Sequence, residues 1–179
     1  MGWKAIKEYY QIKHYVSLYD GEGICIGSPY VHDLITINPE TGKLKPSIIF
    51  DPGKEDDDLN RYWNDLSADP NKLLELIKQE DIFETSIPVY TYEGSEILEK
   101  FCEKPGWPNV THDGYIMYEN TFSTDKNKVI QWAKTEAAYS IKHFSQRVKE
   151  VESDLIKFRS FLSQAKADIK NLKLKYPKL

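Results

Sequence analysis

Two His-Asp pairs, His32-Asp33 and His112-Asp113, are the residues in this chain whose types could do chemistry most directly. Adjacent His and Asp hold catalytic metal ions in phosphohydrolases, but only on helices and with further His and Asp ligands converging on them. The β-branched run from Tyr30 to Ile37 predicts a strand, which would send His32 and Asp33 to opposite faces. His112-Asp113-Gly114 predicts a turn whose Asp bonds nearby backbone. On that context no catalytic residue, metal ligand or cofactor is assigned.

Other candidates fall to simpler readings. Gly21, Gly23 and Gly27 lack the spacing of a dinucleotide loop and punctuate a hairpin instead. Asp51-Pro52-Gly53-Lys54 lacks the flanking residues of a phosphate-binding loop. Glu55, Asp56, Asp57 and Asp58 could attract a hard cation, yet they precede Leu59, Tyr62, Trp63 and Leu66, where acidic side chains complement a helix dipole. Cys25 and Cys102 have no neighbouring cation to make a thiolate, and two thiols make no disulfide framework.

One stretch, Trp107 to Phe122, gathers aromatic area and directional polar groups in a loop. Trp107, Asn109, His112, Asp113 and Tyr115 are its candidate contact residues, because such mixtures make recognition surfaces. Together with Gly27-Ser28-Pro29-Tyr30, this run resembles uncharacterised small phage and prophage proteins. That resemblance carries no catalytic residue across. It implies an accessory protein made during infection, for which blocking a host defence factor is a common role.

The elements that must position these residues follow from pattern. Residues 9–19 predict a strand, with Ile12, Val16 and Leu18 on its apolar side. Asp20-Gly21-Glu22-Gly23 predicts a turn, Ile24-Cys25-Ile26 a second strand, and Asn38-Pro39-Glu40-Thr41-Gly42 a hairpin loop between Tyr30–Ile37 and Lys43–Phe50. Two short helices follow, the second opened by Asp69-Pro70. Ile87–Tyr92 and Ile97–Cys102 predict a hairpin, Pro105–Asn109 a loop, and Tyr115–Tyr118 a last strand.

From Thr124 to Lys173 there is no Gly or Pro. Ile141, Phe144, Val148, Val151, Leu155, Phe158, Leu162, Ala165, Ile169 and Leu172 alternate steps of three and four, the a/d seam of a coiled coil. In a parallel homodimer, g residues Arg147, Asp154 and Asp168 would face e residues Glu152, Arg159 and Lys173 of the other copy, all attractive. An antiparallel pair would set Arg159 against itself. Phe144, Phe158 and Phe161 widen the strip enough to allow a trimer.

The fold class expected is α+β: an antiparallel β-meander head with short helices over 1–123, then one helix over 124–175. Residues 124–140 are expected to dock on the head, since Val129, Ile130, Trp132, Ala133, Ala137, Ala138 and Tyr139 lie on several faces. Residues 141–172 would form the stalk, on the order of 45–50 Å long. Aromatic content of 13% suits a packed β head or a sticky surface. A pI near 5.6 and net charge of -4 argue against a general nucleic-acid binder. No apolar run reaches the roughly 20 residues of a membrane span, which with unpaired cysteines suggests a reducing cytoplasm; Lys170, Lys173, Lys175 and Lys178 suit a helix C-terminus. The function expected is a non-enzymatic protein-interaction module, its partners a second copy of itself and another protein. Two alternatives remain: a nucleotide-like ligand binder or hydrolase with a pocket around His112, Asp113 and Tyr115, and a structural component of a larger particle.

Overall fold

The computed structural model describes residues 1–19, 21–53 and 57–177. Asp20 of the expected turn, Lys54, the acidic Glu55 and Asp56, and Lys178 and Leu179 lie outside them. The chain divides into two compact units, Met1–Ile130 and Gln131–Leu179.

The first unit is built on an antiparallel meander of β1 (Tyr15–Tyr19), β2 (Gly23–Gly27), β3 (Ile35–Ile37) and β4 (Leu44–Pro46), in that spatial order. Its register sets Val16, Ile26 and Ile35 side by side, and likewise Leu18, Ile24 and Ile37. These residues share one face and pack into the core with Trp3, Ile6, Tyr62, Leu66, Leu73 and Ile77. The intervening row, Ser17, Cys25 and Thr36, points to the opposite face, as the period of two requires. Ser17 and Cys25 are nevertheless buried, so that face is covered as well. The hairpin loop closes as its sequence requires: the Asn38 side-chain oxygen accepts from the N–H groups of Glu40 and Thr41.

The meander's strands are shorter than their β-branched runs. Residues 28–33 form a loop, not the first part of a strand. The Ser28 hydroxyl accepts from the N–H groups of Tyr30 (3.3 Å) and Val31 (3.0 Å), and Ser28 N–H bonds the Val31 carbonyl (2.8 Å). Local side-chain bonds of this kind compete with a strand ladder. Gly27 allows the loop to fold back, since a Cβ there would lie 2.2 Å from the Val31 carbonyl oxygen.

The N-terminus departs further from its pattern. Where a strand was expected from Tyr9, the chain forms α1 (Trp3–Tyr9), and extended structure starts only at Tyr15. Seven residues are too few to make a stable helix alone. This one buries Trp3 and Ile6, and its free N–H groups at Lys4 and Ala5 are satisfied by the Asp81 carboxylate at 3.1 and 2.8 Å.

The helices α2 (Asp57–Ala68) and α3 (Pro70–Lys78) fall where the pattern placed them. The α2 face Leu59, Tyr62 and Leu66 is buried, as is Leu73, Leu76 and Ile77 of α3. The Asp69 side chain caps α3 by accepting from Lys72 N–H at 3.0 Å. Asp69→Ala should therefore cost about 1 kcal/mol of stability, read from the urea midpoint; no change would mean the cap is dispensable.

The hairpin of β5 (Ile87–Glu93) and β6 (Glu96–Cys102) forms around Gly94, and the short pair β7 (Asn109–Val110) and β8 (Ile116–Met117) closes the unit. Asn109, expected in a loop, is thus a strand residue. The final helix α4 (Lys126–Lys175) runs unbroken for 50 residues. The Asp125 carboxylate accepts from Asn127 N–H at 2.9 Å and so starts it. An antiparallel β head with short helices and one long C-terminal helix is the α+β arrangement that the pattern called for.

Candidate functional site

The loop singled out for recognition is a tight turn pinned to the sheet. Thr111 N–H bonds the Tyr115 carbonyl, and Tyr115 N–H bonds the Thr111 hydroxyl, both at 2.9 Å. The Thr111 hydroxyl also donates to the Asp113 carboxylate. Gly114, at φ +84°, accepts from Leu18 N–H at 2.9 Å, and a Cβ on it would lie 2.4 Å from Leu18 Cγ. Only glycine satisfies both the positive φ and that approach.

This turn sends its neighbours in different directions. Asp113 is ion-paired with Lys100, whose ammonium sits 3.7 Å from the centroid of the Tyr115 ring. Asp113 and Tyr115 border one recess, together with Tyr19 and Asn38. His112 and Asn109 line another, a cleft of about 600 Å³ walled by Trp3, Lys4, Lys7, Phe83 and Glu103. Trp107 is 37% exposed. The five candidate residues thus do not converge on a single pocket, and His112 and Asp113 in particular line different hollows.

The second cleft has an aromatic floor and a charged wall. The His112 ring stacks on Phe83 at 3.8 Å with 7° between planes. Its backbone is held from both sides: N–H to the Phe101 carbonyl at 2.7 Å, and carbonyl to Trp3 Nε1 at 3.0 Å. His112 Nε2 is buried with no hydrogen-bond partner among the described residues. Lys4 Nζ donates to Glu103 Oε1 at 2.7 Å and to the Ile82 carbonyl at 2.8 Å, and lies 5.1 Å from the Phe83 centroid. Burial lowers the pKa of Lys7. Trp3, Lys4, Phe83 and Glu103 carry no sequence signal for this role, because they come from segments some 80 to 100 residues apart that meet only in the fold.

Burial works to raise the Glu103 pKa, but hydrogen bonds from Lys4 and Glu84 N–H, with the Lys4 charge, outweigh it, and the net shift is downward. A carboxylate with a depressed folded pKa adds stability that is present above its unfolded value, about 4.3, and is lost as pH falls through the folded value. The wild type should lose stability below about pH 4 more steeply than Glu103→Gln, in urea titrations at stepped pH. Parallel acid limbs would show that the pair contributes nothing to this dependence.

Neither thiol is poised as a nucleophile. Burial pushes Cys25 up to about 11 and raises Cys102 as well. What the cleft offers is a flat aromatic surface edged by charge. Elsewhere, the side chains of Glu22, His32 and Asp33 bring three potential metal-ligand atoms within 4.8 Å of one another.

The second unit presents a different surface. Every a/d position from Ile141 to Leu172 is exposed in the single chain, from 48% at Leu155 to 70% at Ile141 among the large side chains. Val129, in the first unit, is buried, whereas Ala137, Ala138 and Tyr139 are exposed. Arg147 pairs with Glu150 at 3.2 Å and Asp154 with Lys157 at 3.1 Å along the same helix. Such exposed pairs are worth tenths of a kcal/mol and can be exchanged at little cost. Comparison with protein-family models, with curated proteins and with solved structures found no match.

Proposed function

We propose that this chain is a non-enzymatic protein-interaction module whose α4 seam pairs with a second copy of itself in a parallel coiled coil. The observation that carries the reading is the apolar seam, in strict three-four spacing and exposed along its whole length. An amphipathic helix gains most of its stability from covering such a face, and the simplest cover for an α4 seam is another α4. The charge pattern favours the parallel copy. On pairing, Arg147 and Asp154 would share or exchange their partners along the helix for Glu152 and Arg159 of the second chain.

Pairing would present two heads to one target and raise avidity without any new contact. On the head, the aromatic and charged groups around Trp107, Asn109 and His112 supply the contact chemistry, and the partner is another protein. The resemblance of that segment to phage and prophage proteins would make the target a host factor that the module blocks. A second reading, a small-ligand binder, is favoured by the Phe83–His112 cleft, whose volume of about 600 Å³ falls within the range of ligand sites.

The test of the first reading is molar mass by light scattering, on the full chain and on chain ending at Tyr139. A mass near twice 20.9 kDa that falls to that of a monomer on truncation supports it. A full-length monomer overturns it.

A further inference from the structure

We propose that Glu22, His32 and Asp33 form a binding site for a divalent first-row transition-metal ion, and Zn²⁺, which takes imidazole and carboxylate ligands in tetrahedral sites, is the ion we assign to it. Their ligand atoms all lie within 4.8 Å of one another, and His32 Nε2 is 3.4 Å from Glu22 Oε2. Two ligands each about 2.0–2.2 Å from one tetrahedral ion stand about 3.4 Å apart. The first pair is therefore already at the separation an ion imposes, and Asp33 needs only a small side-chain adjustment. One imidazole with two carboxylates selects transition ions over Mg²⁺ and Ca²⁺, which prefer all-oxygen shells.

The scaffold holds these groups from two loops. Glu22 sits in the turn after β1, with its N–H on the Tyr19 carbonyl at 3.1 Å. The His32 ring is stacked on Tyr19 at 3.9 Å with 21° between planes, which fixes where its nitrogen points. Its backbone belongs to the loop folded over Gly27. Glu22 and Asp33 also line a cleft of about 770 Å³, which leaves room for water or a ligand oxygen in the remaining coordination position.

A second observation points to the same face of the sheet. Ser17, Cys25 and Tyr19 share the polar side of the meander, and Cys25 Sγ lies 3.8 Å from Glu22 Oε2. Ser17 is 1% exposed, and its hydroxyl has no hydrogen-bond partner among the described residues. Through Cys25, the Glu22 carboxylate of the cluster thus lies against a buried polar row on the side of the sheet opposite the core. The cluster sets two carboxylates within 4.8 Å of one imidazole nitrogen. A divalent cation balances that charge.

The experiment is calorimetric titration of Zn²⁺ into the full chain at pH 7 after chelator treatment, with Glu22→Gln, His32→Ala and His143→Ala variants alongside. Glu22 is exposed, so its amide variant should fold even if His32→Ala does not, and circular dichroism checks both. The expected result is one ion per chain. Affinity should fall in Glu22→Gln and His32→Ala by more than the roughly tenfold that losing even an outer-shell partner costs, and stay unchanged in His143→Ala. No binding by the wild type would overturn the proposal. So would binding that survives both Glu22→Gln and His32→Ala, or that disappears with His143→Ala.

Discussion

Replacing Leu155 and Phe158 together with Glu should convert the proposed coiled-coil dimer to a monomer of about 20.9 kDa, by light scattering at micromolar chain concentration. Both are exposed in the single chain, at 48% and 68%, and both occupy the middle of the seam. In a parallel pair each would meet its own copy, so each substitution sets two carboxylates face to face in an apolar layer. Burying a large apolar side chain is worth about 1.5–3 kcal/mol, and the seam repeats that gain layer after layer. The sum has to exceed an association cost of about 4–15 kcal/mol, which it does only if several layers form together. Losing two central layers and adding repulsion removes that margin. A control with Ile156→Glu, which is 68% exposed but off the a/d register, should leave the dimer intact. Equal sensitivity at Ile156 would mean that exposed apolar area drives association without a coiled-coil register. A mass of three chains would keep the seam and change the valency.

In the head, Tyr62→Ala should be the most damaging single change, with a loss of about 3–5 kcal/mol. Tyr62 is fully buried on α2, and its ring meets His14 edge-on at 5.6 Å with the Arg61 guanidinium 4.6 Å from its centroid. Its hydroxyl accepts from Lys13 N–H at 3.0 Å, where the chain passes from α1 to β1. Arg61 reinforces that junction by donating to the carbonyls of Tyr10 and Gln11, each at 3.0 Å. A cavity here loosens α2, the α1–β1 connection and the core between them at once. Against a total stability on the order of 5–15 kcal/mol, that loss is severe. Tyr62→Phe keeps the ring and removes only the acceptor, so it should cost about 1 kcal/mol. Both are read from urea unfolding followed by tryptophan fluorescence at one chain concentration, since the proposed self-association would shift apparent stability. Equal midpoints for Tyr62→Ala and wild type would mean that α2 is not part of the cooperative core.

The elements legible in the residue order are those whose stabilising interactions are local. The α4 helix follows from an unbroken apolar period and the absence of Gly and Pro. The start of α3 follows from Asp69-Pro70, and the β3–β4 and β5–β6 hairpins from their turn residues. Each depends on contacts between residues two to five apart, which a sequence displays directly. The alternation of Val16 and Leu18 likewise placed the apolar face of the meander correctly.

What escaped depends on residues far apart. The helix α1 is held by the Asp81 carboxylate, 77 positions from Lys4, so nothing near Trp3–Tyr9 announces its cap. His32 lies in a β-branched run that predicts a strand, yet the Ser28 hydroxyl and the closeness of Gly27 to the Val31 carbonyl make it a loop. That change sets His32 and Asp33 together beside Glu22, whereas strand alternation would have sent the two to opposite faces. His112 and Asp113, adjacent in the chain, are parted because the turn is pinned to Leu18 on one side and stacked on Phe83 on the other. Local propensity sets where helices and hairpins start and stop. Which side chains share a cleft is decided by packing between distant segments, and only the folded chain brings those together.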